Sequence, residues 1–160
     1  MADHSEPRLQ ITPREYRRED FLISTDRSRL DLDTIHGYLT RSWWAGGISK
    51  ETVARSLDAA LCLGVYHGGK QIGFARVISD FATYAYICDD FILEEYQGRG
   101  LGRWLMESIL GYPELQGLRR WMLIAEDPRI YSKFGFRPLQ QPEINMEIVS
   151  PVAQASGAPR

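Results

Sequence analysis

Gln97-Gly98-Arg99-Gly100-Leu101-Gly102 is the stretch on which the reading of this chain turns. It stands between two segments of different period. Upstream, Ile87 to Leu93 is rich in β-branched and aromatic residues, the composition of a strand. Downstream, Leu101, Trp104, Leu105, Ile109 and Leu110 recur at helical spacing, which predicts a helix over Arg103 to Leu110. The glycines therefore sit where a strand turns into a helix. Glycine accepts backbone angles closed to other residues and lets a ligand approach the main chain. The first helical turn adds unpaired N–H groups and a partial positive charge, so the stretch reads as a holder of phosphate.

Two well-known phosphate loops do not fit. The NTPase loop needs Lys-Ser or Lys-Thr after its last glycine, and Gly102 is followed by Arg103-Trp104. The dinucleotide fingerprint G-x-G-x-x-G would place its third glycine at Arg103 or at Leu105. A second motif, Tyr131-Ser132-Lys133-Phe134-Gly135-Phe136, follows another apolar run, Trp121 to Ala125. Gln97, Gly100 and Gly102 resemble the Gln/Arg-x-x-Gly-x-Gly/Ala motif of the GNAT superfamily of N-acetyltransferases. The later segment resembles that family's Tyr-x-Lys-x-Gly-Phe, and the resemblance runs from about Cys62 to Met146.

Composition limits the alternatives. A chain of 160 residues with 44% hydrophobic content has the length and core of one domain. Lys plus Arg number 19 against 21 Asp plus Glu, and the net charge of -2 gives no general attraction to nucleic acid or to an anionic membrane. No apolar run approaches the ~20 residues needed to span a bilayer. Met1 to Glu6 lacks the basic and apolar regions of a secretory signal, so a cytoplasmic location is expected. Cys62 and Cys88 lie in apolar runs without CxxC spacing or nearby histidines, which predicts buried thiols and no metal site.

Residues 1–15 and 151–160 are polar or rich in Pro, Ala, Ser and Gly and read as flexible ends, leaving 16–150 as a single domain. Within it, Tyr16 to Thr25 reads as a first strand, Leu32 to Arg41 as a helix, and Ser49 as the cap of a helix over Lys50 to Leu57. Cys62 to Tyr66 and Gln71 to Ser79 flank a glycine hairpin turn, and Tyr84 to Leu93 continues the meander. After the glycine loop and its helix come Trp121 to Ala125, a short helix ending near Phe134, and strands at Phe136 to Leu139 and Met146 to Val149. Asp127-Pro128 reads as the cap and first position of that short helix. The strand-helix-strand unit through the glycine loop should be parallel and right-handed. The fold expected from the resemblance is α/β (α+β). It has a mixed, mostly antiparallel central sheet with a splayed parallel strand pair and helices on both faces.

The resemblance also implies chemistry. Acetyl-CoA would serve as co-substrate, with no metal. Its pyrophosphate would lie on Gln97, Gly98, Arg99, Gly100, Leu101, Gly102 and Arg103, and its pantetheine arm on the backbone of Phe91, Ile92 and Leu93. Tyr131 matches the tyrosine that the family sets near the coenzyme sulfur. A phenol near pKa 10 giving its proton to a thiolate whose acid is near 8.5 goes uphill by about 2 kcal/mol, so hydrogen-bond donation suffices as its role. The family pattern apolar-x-Asp-apolar-x-Val implies Asp89 as the base and an apolar residue at Asp90. In a regular strand the two carboxylates face opposite ways, though a bulge alters that parity. A water chain, or a base at the position of Tyr86, stays open, as does Asp89 bonded only to local backbone. An acetyl-cysteine at Cys88 is disfavoured because no histidine lies near it in sequence. Trp43-Trp44 falls in the family's substrate-facing loop, where aromatics bind an amine by cation–π contact or pack the core. The expected partner is a small-molecule or peptide amine, not nucleic acid or membrane, with a homodimer left open. The alternative function is a noncatalytic acyl-CoA binding or sensing domain.

Overall fold

The computed structural model describes residues 11–151. Its centre is a six-stranded sheet in the order of the chain, comprising β1 (Glu15–Arg18), β2 (Phe21–Ser24), β3 (Leu61–His67), β4 (Lys70–Ser79), β5 (Tyr84–Ile92) and β6 (Arg120–Met122). Every neighbouring pair is antiparallel except β5 and β6. That parallel pair is joined by the crossover through α3 (Leu101–Leu110), as the strand-helix-strand order requires.

Helices cover both faces. On one side α1 (Leu32–Leu39) and α2 (Lys50–Asp58) bury Ile35, Leu39, Val53 and Leu57 against Cys62, Phe74 and Phe91. On the other, Leu101, Leu105, Met106 and Ile109 of α3 pack on Ile23, Leu63, Val65, Ile72, Ala75, Val77 and Ile87. Capping fixes where the first two helices start. Asp31 accepts from the N–H groups of Asp33 and Thr34, and the Ser49 hydroxyl accepts from Thr52 N at 3.1 Å, satisfying donors that a helix start leaves orphaned. Gly68 and Gly69, at φ 55° and 80°, form the predicted turn between β3 and β4.

Four expectations need correction. The run Tyr16 to Thr25 is not one strand but the hairpin β1–β2, turning at Glu19 with φ 54°. No glycine or asparagine marks that turn, so sequence alone reads it as continuous. Residues 11–15, placed in a flexible end, contribute to the fold from Arg14 onwards. The Arg14 N–H donates to Thr25 Oγ1 at 2.8 Å, and its guanidinium reaches Glu114 Oε1 at 3.0 Å. Residues 1–10 and 152–160 of the predicted flexible ends lie outside the described residues.

The strand expected at Trp121 to Ala125 covers only Arg120–Met122. The strands at Phe136 to Leu139 and Met146 to Val149 do not form among the described residues; Met146 and Ile148 are 95% and 101% exposed. Pro138 and Pro142 lack the N–H that a ladder needs, which weakens pairing in that stretch.

Candidate active site

β5 and β6 are in register for only three pairs, Tyr84–Arg120, Ala85–Trp121 and Tyr86–Met122. Beyond them β5 runs on to Ile92 while the chain after Met122 leaves the sheet toward α4 (Arg129–Ser132). A cavity of about 950 Å3 fills the opening. Its walls come from Tyr86 to Asp90 of β5, from Ile124 to Asp127 with Tyr131 of α4, and from the loop Trp43 to Ser49.

A bulge arranges the β5 wall. β4 and β5 slip register between Phe74 and Arg76, and Asp89 takes φ 57°, a left-handed conformation that Asp tolerates better than most residues. The slip reverses side-chain parity. Ile87 packs with α3, whereas Phe91, four residues on, packs on the α1–α2 face. Asp89 and Asp90 both line the cavity as a result.

The two carboxylates have different partners. Asp89 Oδ2 accepts from Arg76 Nε at 2.8 Å, and its Oδ1 accepts from Trp44 Nε1 at 3.0 Å, with the Asp89 and Arg76 side chains only 10% and 17% exposed. Asp89 therefore ties the loop that carries Trp44 to the sheet. Asp90 Oδ2 accepts from the Tyr131 hydroxyl at 2.9 Å. Burial pushes the Asp90 carboxyl above its ordinary value, opposed by the Tyr131 hydrogen bond and assisted by the nearby charge of Asp89. Burial likewise raises the Tyr131 phenol, and Asp90 beside it adds to the effect.

A raised carboxyl has a consequence for stability. Because the fold favours protonated Asp90, its ionisation costs stability as pH rises past the ordinary carboxylate range through the raised native value. Asp90→Asn should therefore be more stable than the native protein at neutral pH. The difference should close on acidification, where Asp90 is protonated in both folded and unfolded chains. Urea midpoints measured from neutral to acidic pH check this.

The other candidates sit as follows. Tyr86 lines the cavity, and burial raises its phenol, which disfavours it as a base near neutrality. Burial pushes the Cys88 thiol up to about 12, leaving little thiolate for an acetyl-cysteine route. Cys62 and Cys88 are both free thiols. Trp43 and Trp44 meet edge to face at 5.6 Å on the cavity wall. Asp127 acts as the expected cap: its Oδ1 accepts from Arg129 N at 3.1 Å and from Arg129 Nε at 2.8 Å, and Pro128 after it already has helical φ and ψ.

The glycine loop lies at the far end of β5 and forms no part of this cavity's wall. Gly100 caps α3 at φ 77° with no side-chain hydrogen bond, so the protein itself leaves the first-turn donors open to an anion. A Cβ at Gly98 would meet nothing within 4 Å, and one at Gly102 only Ile92 at 3.9 Å, so open space lies before the loop. These features fit a pyrophosphate. Gln97 Nε2 donates to Ile92 O at 2.9 Å, which pins the loop to the strand end, and Leu93 N donates to Ile72 O at 2.8 Å. Phe91 and Ile92 are buried in the sheet. Arg99 lies over the Tyr96 ring at 5.3 Å, and Arg103 pairs with Glu107 at 2.8 Å. Sequence reading missed Arg18, whose guanidinium approaches within 3.8 Å of the Cβ position at Gly100. Nothing in the local sequence links β1 to that loop.

The family model for the acetyltransferase (GNAT) domain matches residues 58–138, a span that holds the glycine loop, both carboxylates and Tyr131. The chain belongs to the GNAT acetyltransferases. A Gibberella zeae protein assigned as an acetyltransferase is 33% identical over 144 residues, covering 74% of this chain and 80% of that protein. A Xanthomonas campestris structure assigned to the same family superposes with TM-score 0.79 at 43% identity, covering 82% of this chain and 94% of the other. A Clostridium acetobutylicum acetyltransferase solved with acetyl-CoA shares the fold at TM-score 0.56 and 14% identity, covering 86% and 95% of the two chains. The GNAT fold is thus present with its mixed sheet and parallel pair. Among the described residues, no helix is long and apolar enough to cross a membrane.

Proposed function

We propose that this GNAT acetyltransferase moves the acetyl group of acetyl-CoA to a primary amine, by direct transfer within a ternary complex. The observation that carries the reading is the meeting of Tyr131 and Asp90 at 2.9 Å inside the opening between β5 and β6. The glycine-rich start of α3 supports the coenzyme half. Acetyl-CoA supplies an acyl group activated as a thioester. The N–H groups from Gly98 to Arg103 would hold its phosphates, with Arg99, Arg103 and Arg18 near enough to add charge. The backbone along Phe91 to Leu93 would line its arm, although the Leu93 N–H is already spent on Ile72 and the Ile92 carbonyl on Gln97.

On the acceptor side, the Trp43–Trp44 pair forms an aromatic wall suited to an amine, and the Trp44–Asp89 hydrogen bond holds it in place. Asp89 is engaged on both oxygens, which makes it a positioning carboxylate as well as a candidate base. Tyr131 would donate a hydrogen bond as the sulfur gains charge.

The test is thermal shift with coenzyme A, followed by thiol release from acetyl-CoA across amines, polyamines and peptides. Saturation at about 100 times Kd should add roughly 2.7 kcal/mol to stability. Binding without release for any amine would favour the noncatalytic sensing reading, and no binding would reject both.

Gly100 gives a sharper check of the phosphate loop. Gly100→Glu places a carboxylate against the pyrophosphate position and strains a left-handed backbone, and should weaken coenzyme binding by roughly a hundredfold. Gly100→Asn, which tolerates that backbone and adds no charge, should bind far better. Calorimetry on the folded variants decides; equal affinities for Glu and Asn would remove the phosphate from this loop.

A further inference from the structure

Acetyl transfer to an amine takes a proton from nitrogen and delivers one to sulfur, and the cavity brings together two groups that join those events. Asp90 and Tyr131 are 41 residues apart in sequence and share a hydrogen bond of 2.9 Å with the phenol as donor. Both line the opening between β5 and β6. Asp89 is held by Arg76 and Trp44, and its two oxygens already accept charged or indole N–H groups. Among the described residues, Asp90 has no such cation. The bulge at Asp89, and not the strand's own alternation, is what lets Asp90 face the cavity.

We infer that Asp90 and Tyr131 act as one proton relay, carrying the proton from the acceptor nitrogen to the departing sulfur. This rests on the acetyl-transfer reading above. The neutral amine attacks the thioester carbonyl, so an N–C bond forms and the C–S bond breaks. The nitrogen then loses one proton to the Asp90 carboxylate, while the Tyr131 hydroxyl gives its proton to the sulfur. Asp90 returns its proton to the tyrosine oxygen. The products are an amide and a thiol, and both side chains end as they began, with no other reactant consumed.

Energetics favour the pair over either member alone. Burial raises the Tyr131 phenol, so full transfer to a thiolate is steeper than for an ordinary tyrosine unless its oxygen is reprotonated as it gives. A carboxyl whose pKa is raised by burial is the partner able to hold the proton between the two transfers. The other groups facing Asp90 do not compete for this task. Cys88 and Asp89 lie on its own strand, and from α1 the Tyr38 phenol interacts with it.

Two measurements test the relay. In the free protein, carboxyl carbon NMR should show the Asp90 titration moving upward in Tyr131→Phe, since the lost hydrogen bond had favoured the ionised form; an unmoved titration overturns the coupling. In turnover, Asp90→Asn and Tyr131→Phe should each lower kcat by roughly a hundredfold, and the double variant should be no slower than the worse single. Losses that multiply in the double variant would show two independent groups and overturn the relay, while leaving acetyl transfer intact. A native protein that binds coenzyme A but acetylates no amine would overturn the transfer reading, and the relay with it. Circular dichroism on each variant separates these outcomes from misfolding.

Discussion

Tyr131→Phe should lower kcat by about a hundredfold while leaving acetyl-CoA affinity within about twofold, the low end of what removing a positioned proton donor costs. The ring itself stays useful to the fold. It meets Phe136 edge to face at 6.5 Å and packs against the α3-side core, contacts that phenylalanine keeps. What is lost is the hydroxyl, which in the proposed transfer matters most when the sulfur gains charge, so the effect belongs in kcat and not in binding. Single-turnover kinetics with calorimetry of coenzyme binding measures the two separately. Equal losses in rate and affinity would recast Tyr131 as a group that seats the coenzyme.

Arg76→Met should destabilise the protein by about 3–5 kcal/mol, the usual cost of stranding one member of a buried ion pair. Arg76 reaches across the bulge to Asp89 at 2.8 Å, and the two side chains are nearly shielded from water. Removing the guanidinium leaves the Asp89 carboxylate with the Trp44 indole alone. The double variant Arg76→Met/Asp89→Asn removes both charges and should recover much of the loss, because the penalty comes from an unpaired charge more than from the lost pair. Urea unfolding of the two single variants and the double variant closes the cycle. If Arg76→Met alone is neutral, water must reach Asp89 and the pair holds nothing together. The same variants should loosen the Trp43–Trp44 loop, whose link to the sheet is that carboxylate.

Much of this fold is legible in the amino-acid sequence because the decisive signals are local. The change from strand composition to helical spacing at Gln97 to Gly102, the Gly68–Gly69 turn and the Ser49 cap each depend on residues within one turn of one another. Backbone geometry at such places follows from residue type: positive φ for glycine and a side-chain acceptor for serine. The hairpin at Glu19 and the shortened β6 escape for the complementary reason. Their residues carry no strong local preference, so pairing partners decide them.

The site divides in the same way. The glycine loop and Tyr131 stand out in the sequence because their spacing relative to neighbouring elements resembles a known pattern. Which carboxylate meets Tyr131 is not written there. Strand alternation with the family pattern favours Asp89, while one inserted residue in the β4–β5 ladder turns Asp89 toward Arg76 and Trp44 and leaves Asp90 for the tyrosine. A bulge is a property of two strands in register, and a contact spanning 41 residues is a property of how β5 and α4 lie together. Residue type thus settles the elements and the anion-ready helix start, whereas the pairing of distant strands alone settles which polar side chains meet, since a shift of one residue exchanges the faces they share.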